Sequence, residues 1–511
     1  MSEGSAAASQ RGVISVSEVQ KHNKQDDIWM ILHGKVYDLT SFINDHPGGQ
    51  AVLMQQAGSD GTSAFSVVHS KDVLSMLDES AELGEIDASS VDKQVDKGAL
   101  IKELQEMELH ERKPPLEQML NTYDFESVGR QSMSAAGWAY YTSGSDDEIT
   151  LRENHSAFQR IWLKPRILVN VKNIDMSTKL FNDSCSFPLY VSATALGKLA
   201  HPSGEIGIIN GAYQQDTIYM LPTLASCSLD DMIEAKQNNK NSVNWMQLYV
   251  NADRQRTLNI IKKAENAGCR ALCITVDAPM LGRRERDMRH KFTTQESSQQ
   301  KGDQVNRNQG VARAISSFID PSLAWSDLEW FKSNTSMHIV LKGVQCGEDA
   351  VLAYKHGVSG IILSNHGGRQ IDGARSGIEI LPEVIHALKS INYNKAKFEI
   401  YVDGGIRRGT DIFKAIAMGA NGVGIGRPTL WGLAGYGADG VSKVLQLLKE
   451  ELAMCMALMG TPTIRDINSS HVDISSLSAH IAPTPQDWLT HNAYQPMQPA
   501  SLAKSTLKSN L

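Results

Sequence analysis

The chain has 511 residues, 41 % of them apolar and 21 % charged, which is too long for one ordinary core and implies two or more domains. No run of about 18 uninterrupted apolar residues occurs, so no membrane span is expected. Six scattered cysteines fit neither a disulfide framework nor a zinc site and suit a reducing compartment, and at a net charge of −7 no nucleic-acid partner is expected.

The charge is uneven. Residues 1–90 carry 13 Asp/Glu against 5 Lys/Arg, a net of −8, which leaves +1 on the rest. An acidic leading segment either serves solubility or steers a basic partner. The first twenty residues hold one Arg and two Glu and no apolar core, unlike a secretory signal or an Arg-rich transit peptide.

From Ile14 to about Ile86 the pattern is compact and mixed. "IWMILHGKVYDLT" predicts two short strands around His33-Gly34-Lys35. "GQAVLMQQAG" and "DGTSAFSVVH" predict short helices with a Gly-rich turn between them. His46 and His69 would stand at the lips of this helical part. Two imidazoles on opposite faces of a haem iron leave no vacancy for oxygen, so such a haem passes electrons. Gly48 and Gly49 leave room for a flat macrocycle, and Phe42, Val52, Leu53, Phe65 and Val68 would line an apolar slot. The phrases "VYDLTSFINDHPGG", "AGSDGTSAF", a second His and "LGEI" resemble the cytochrome b5 family. That resemblance covers residues 10–88 and implies haem b with His46 and His69 as iron ligands.

Residues 89–115, charged and ending in a double proline, read as a hinge with one amphipathic helix from Leu100 to His110. Beyond it, "FPLYVSA", "IYMLPTLAS", "NWMQLYV", "ALCITVDAP", "HIVLKGV", "GIILSNHGG", "FEIYVDGG" and "GVGIGRP" alternate with helical stretches. Near-continuous apolar strands between helices imply a parallel sheet, and eight such units a closed TIM (β/α)8 barrel. The expected fold is therefore multidomain: a small α+β unit, a barrel over 116–480 and a tail at 481–511.

Thr194, Gln247, Tyr249, Thr275, Asp277, Lys342, His366, Arg369, Asp403, Arg407 and Arg427 stand at the C-terminal ends of these strands, where barrels assemble active sites. Solvent alone would select mixed Ser, Lys and Glu there rather than one His, two Asp and several Arg. Strands seven and eight end in Gly404, Gly405 and Gly426 with Arg407 and Arg427, a pattern suited to a phosphorylated cofactor. A polar loop at 287–310 follows strand four and is expected to be mobile.

"YVSATAL", "QLYV", "VDAP", "LGRRE", "SNHGGRQ" and "DGGIRRGTD" resemble the FMN-dependent α-hydroxy-acid oxidoreductases from about Tyr140 to Gly460. The resemblance implies FMN held by Ser192, Ala193, Thr194, Ala195, Gln247, Thr275, Lys342 and the phosphate-end residues Asp403, Gly404, Gly405, Arg407, Gly426 and Arg427. It implies His366 as the base, Asp277 as its partner, and Arg369, Tyr140 and Arg284 on the substrate carboxylate, with Arg284 on the mobile loop. Tyr249 would meet the substrate hydroxyl, Lys342 would stabilise reduced flavin, and Ala195 and Leu224 would enclose a methyl-sized group. Where close relatives place Ser before "TLAS", this chain has Pro222, which lacks an N–H and a hydroxyl. Hydride transfer and carbanion formation need the same base and clamp, so the sequence leaves both open.

With both units on one chain, the combined resemblance implies oxidation of L-lactate to pyruvate, with single electrons leaving through the haem to cytochrome c. The alternatives are an oxidase or dehydrogenase for glycolate or a larger 2-hydroxy acid, and a haem-binding sensor on an inactive barrel. The family implies a homotetramer and, for its lactate enzyme, the mitochondrial intermembrane space. A native start at Met1 would instead fit the cytosol, and the terminal Ser-Asn-Leu half matches a peroxisomal address.

Overall fold

The computed structural model describes residues 12–43, 46, 50–69, 73–74, 77–87, 113–237, 243–289 and 319–480. The expected helix at Leu100–His110, the approach at Gly48 and Gly49, most of the loop at 287–310 and the tail at 481–511 lie outside these residues, as does the side chain of Val68.

The N-terminal unit is a five-stranded sheet of β1 (Gly12–Ile14), β2 (Asn23–Lys24), β3 (Asp27–Leu32), β4 (Lys35–Asp38) and β5 (Glu82–Ile86), in the order β1-β5-β4-β3-β2. Only β1 and β5 run parallel. The β3–β4 connection is a two-residue turn, His33-Gly34, with φ of 53° and 82°, and Lys35, expected in the connection, opens β4 instead. That pair of left-handed residues matches the twist of a hairpin. Side chains alternate along β3. Ile28, Met30 and Leu32 face a cluster with Tyr37, Leu39, Ile43 and Leu53, while Ile31 packs with Val19 of helix α1 (Val16–Val19) and Val36. Helices α2 (Gln50–Gln56) and α3 (Thr62–Val68) follow the two predicted segments.

Three helices, α4 (Thr122–Ser132), α5 (Ala135–Thr142) and α6 (Ile149–Gln159), precede the barrel. Strand β6 (Trp162–Leu163) pairs with β17 (Val472–Asp473), and the hairpin β7 (Thr178–Leu180) with β8 (Asp183–Cys185) brings Leu180, Phe181 and Cys185 into the barrel's inner core. Eight parallel strands then close on themselves: β9 (Leu189–Val191), β10 (Ile218–Leu221), β11 (Asn244–Leu248), β12 (Ala271–Thr275), β13 (His338–Val344), β14 (Gly360–Leu363), β15 (Glu399–Asp403) and β16 (Gly422–Ile425). All eight predicted strands are present in the predicted order. After each comes a helix: α7 (Gly204–Tyr213), α8 (Leu229–Gln237), α9 (Arg254–Asn266), α10 (Leu328–Asn334), α11 (Gly347–Lys355), α12 (Gly377–Ser390), α13 (Gly409–Ala417) and α14 (Arg427–Met459).

Tyr190, Trp245 and Tyr401 fill the barrel interior with Ile218, Met220, Val340 and Ile362, so the barrel is packed and not a pore. Residues of opposite pleat join the larger core under the helices. Burial on both faces is the reason that these strands read as continuous apolar runs. Helix α14 is interrupted at Tyr436–Gly437, where Gly437 has φ 59°.

Candidate active site

At the C-terminal ends of the strands lies a cleft whose empty space, its solvent-open mouth included, is about 1180 Å3. Every barrel residue named from the sequence lines it except Asp277, which stands behind His366. The base is positioned by strain. After β14 the chain runs through three left-handed residues, His366 (φ 57°), Gly367 (65°) and Gly368 (76°). A histidine in that conformation is costly and persists because its surroundings fix it. Asp277 Oδ1 lies 2.9 Å from His366 Nδ1, so Nδ1 carries the proton and Nε2 is the basic nitrogen. Tyr249 Oη, 3.2 Å from Nε2, donates to it. Burial pushes the Tyr249 hydroxyl up to about 12, so it remains a donor.

Burial pulls His366 below its ordinary value, partly opposed by Asp277, so the resting imidazole is neutral. For Asp277, burial acts upward but the attraction of His366 and Lys342 outweighs it, and the carboxylate is held below its ordinary range. Burial acts downward on Lys342, yet Asp403 and Asp277 together hold it above its ordinary range. Its Nζ donates to Ser364 Oγ at 3.2 Å and lies 3.7 Å from Asp403 Oδ2. Lys342 is thus a fixed buried cation on one wall.

The cleft is also crowded with guanidinium groups. Arg369 stacks over the Tyr140 ring at 4.9 Å and donates to the carbonyls of Tyr140, Tyr141 and Ser143. Arg284, 7 % exposed, donates to Arg369 O. Arg427 donates to Tyr141 O, Gly367 O and Ser143 O. Burial and then mutual repulsion press Arg284 down to about 10 and Arg427 to about 9. Cations crowded this closely are stabilised by anions, and a carboxylate and a phosphate are the anions expected here. Arg407 is also at the phosphate end, but it is paired with Glu126 at 2.9 Å and stacked on Trp431.

The flavin side carries unmet hydrogen-bonding capacity. Among the described residues, Asp403 Oδ1 is buried without a hydrogen-bond partner, and Ser192 Oγ and Thr194 Oγ1 have only the buried hydroxyls of Tyr190 and Tyr219 nearby, beyond good hydrogen-bonding geometry. Gln247 Nε2 donates to Thr275 Oγ1 at 2.9 Å, and its Oε1 accepts from Thr223 N–H at 3.0 Å. Gly404 and Gly405 have φ of 86° and 87° and form a backbone cradle. Orphaned polar atoms, a glycine cradle and surplus cations fit FMN. Pro222 lines the cleft beside them and offers no donor.

In the N-terminal unit, His69 is the C-cap of α3 and His46 is 9 % exposed. Their ring centroids lie 6.1 Å apart. Two metal–nitrogen bonds of about 2 Å, plus roughly 1.1 Å from each nitrogen to its ring centre, would separate the rings by about 6 Å. Burial, then the neighbouring His46, lowers His69 to about 4, which keeps the ring neutral as a ligand must be. Phe42 and Phe65 flank the two rings, whereas Val52 is 45 % exposed and Leu53 belongs to the core. The pair fits a bis-imidazole haem iron.

Several residues absent from the sequence reading complete the site. Asn154 and Asn365 exchange amide hydrogen bonds of 2.9 and 2.8 Å, joining α6 to the turn that carries His366. His155 lines the phosphate end, lowered to about 4 by burial and by Arg407. Ser364 receives Lys342 and accepts from His366 N–H. Asn365 and Ser364 fall inside the quoted "SNHGG"; Asn154 and His155 lie in an ordinary helix with no local signal.

Residues 129–474 match the FMN-dependent dehydrogenase family, and residues 15–87 the cytochrome b5-like heme/steroid binding domain. An L-lactate dehydrogenase (cytochrome) of Wickerhamomyces anomalus is 46 % identical over 94 % of this chain and 83 % of its own length. One of Saccharomyces cerevisiae is 44 % identical over the same shares, 94 % and 83 %. A solved mutant flavocytochrome b2 with pyruvate bound has a TM-score of 0.69 and 42 % identity, covering 80 % of this chain and 98 % of that one.

Proposed function

The chain belongs to the FMN-dependent dehydrogenase family, with a cytochrome b5-like unit in front, and from that premise we propose that it oxidises L-lactate to pyruvate and delivers the electrons singly to cytochrome c. The observation that carries the reading is the presence, on one polypeptide, of a paired-imidazole site and a cleft lined by a neutral, Asp-backed histidine and several arginines.

Lactate brings a carboxylate, a hydroxyl and a reactive C–H bond. Arg369, with Tyr140 stacked beneath it and Arg284 alongside, clamps the carboxylate. Tyr249 and His366 meet the hydroxyl side. His366 Nε2 takes one proton, and Asp277 stabilises the imidazolium that results, in the manner of a catalytic triad. FMN held along Ser192–Ala195, Gln247 and the Gly404–Gly405 turn would supply a two-electron acceptor for the C–H bond, and a haem held by His46 and His69 a one-electron carrier. Lys342 supplies a fixed positive charge on the flavin side. Ala195 and Leu224 line the same cleft, and a misfit of one methylene against such side chains is worth about 1–3 kcal/mol, so lactate is preferred over a larger acid without excluding it.

The acidic leading segment suits a basic acceptor. A homotetramer is the expected assembly. The exposed apolar residues Trp162, Ile167, Leu168, Met454 and Leu458 support an interface, as Arg166 N–H donates to Met459 O and joins the 166–169 loop to the end of α14. Light scattering would return four chains.

The test is stoichiometric. With L-lactate and ferric cytochrome c, the full chain should form one pyruvate per two cytochromes reduced, with little peroxide. Peroxide equal to pyruvate would establish the oxidase reading, and no turnover with any small 2-hydroxy acid would establish the sensor.

A further inference from the structure

Lys198 lies in the 3-10 turn Gly197–Leu199, just beyond the segment Ser192–Ala195 that lines the cleft. The backbone of this turn is held from below. Gly197 N–H donates to Glu205 Oε1 at 2.7 Å, and Lys198 N–H to Ser226 Oγ at 3.1 Å. The fully buried Glu205 also accepts from the N–H groups of Ser226 and Cys227, at 3.0 and 3.1 Å. One carboxylate therefore ties the loop after β9 to the loop after β10, the two loops that carry Ala195 and Leu224.

The Lys198 side chain leaves this platform toward the other unit. Its Cγ lies over Gly204, where an added Cβ would come within 2.9 Å. Its Nζ donates to Ser66 O at 3.0 Å. Ser66 belongs to the last turn of α3, the helix capped by His69, and α3 packs against the 197–199 turn. That last turn contains no basic residue of its own. His69 N–H takes Phe65 O at 2.8 Å, and the remaining terminal carbonyls carry the negative end of the helix dipole. The ammonium group thus reaches from a turn rooted at the cleft to the helix end that presents an iron ligand.

We propose that Lys198 is a positioning residue for electron transfer between the two units, holding the end of α3, and with it His69, against the flavin side of the barrel. The proposal rests on the relay described above. Lys198 touches neither substrate nor the predicted flavin contacts, so its loss acts on the population of the docked arrangement and not on lactate chemistry.

Anaerobic stopped-flow mixing with L-lactate separates these steps in the full chain loaded with FMN and haem. In Lys198→Met, flavin reduction should stay within about twofold of the parent. Haem reduction should slow about tenfold, the population shift expected from losing one charge-assisted hydrogen bond. Lys198→Arg should recover most of the rate, and the visible haem spectrum should be the same in all three proteins. Equal haem reduction in Lys198→Met and the parent would overturn the proposal. So would flavin and haem reduction slowing in proportion, which would make Lys198 part of the cleft's structure. Flavin reduction without haem reduction in the parent would overturn the relay itself, and the role of Lys198 with it.

Discussion

Asp277 contributes one anion to a neighbourhood crowded with cations, and two of the residues around it depend on that. His366 is the active base when neutral. Burial lowers its pKa from the ordinary 6.5 and Asp277 pulls it back up, so kcat/KM should fall only as the pH drops below the ordinary histidine range. In Asp277→Asn the upward pull is gone, so the acid limb should move to still lower pH. The imidazolium formed in the reaction also loses its stabilising partner, and kcat should drop by about 10²–10⁴-fold. A pH–rate profile checks both; an unshifted limb with an unchanged kcat would remove Asp277 from the mechanism. Gly343 sits directly against this carboxylate. It has φ 113°, and a Cβ there would lie 2.5 Å from Asp277 Cβ. Gly343→Ala should cost about 1–3 kcal/mol in backbone strain and displacement, seen as a lower melting temperature together with a loss of kcat. A variant with parental stability and rate would show that the site tolerates movement of Asp277.

Strand ends carry the site, and they were also the most legible part of the sequence. Each barrel strand is buried on both faces, so it reads as an apolar run, and polar residues at or just past its C-terminal end include those that line the cleft. His366, Lys342 and Asp403 were found in this way. What could not be read is what reaches the site from other elements. Asn154 and His155 stand on α6 and Glu205 on α7. Their roles come from tertiary neighbours that no local pattern records. The turn after β15 illustrates the dependence of one element on another. A Cβ on Gly405 would fall 1.7 Å from Asn154 O, so strand seven's glycine turn and α6 fit together only with glycine there. Gly405→Ala should separate the two elements, destabilise the chain by about 3 kcal/mol or more, and lower the FMN content of purified protein. Full flavin occupancy in that variant would argue that the cradle is not the phosphate seat.

At the scale of the whole molecule the design is a division of charge and of electron count. The leading 90 residues hold a net −8 while the rest is near neutral, so the electron exit and the substrate entrance differ in their fields. Reduction of cytochrome c should therefore slow by roughly tenfold or more between low and high ionic strength, while lactate-driven flavin reduction changes little. A salt-independent cytochrome rate would place the docking surface elsewhere. Sequence alone made both units legible, because each carries its chemistry within short phrases. The contact between them was not legible, since Lys198 and Ser66 are 132 positions apart and ordinary in their local settings. An intramolecular relay has a direct readout in the anaerobic addition of L-lactate to the full chain with no external acceptor. The prediction is that a bis-histidine haem spectrum goes from oxidised to reduced after the flavin bleaches, and that His366→Gln abolishes both changes. A flavin that bleaches while the haem stays oxidised, or a protein without that haem spectrum, would contradict it.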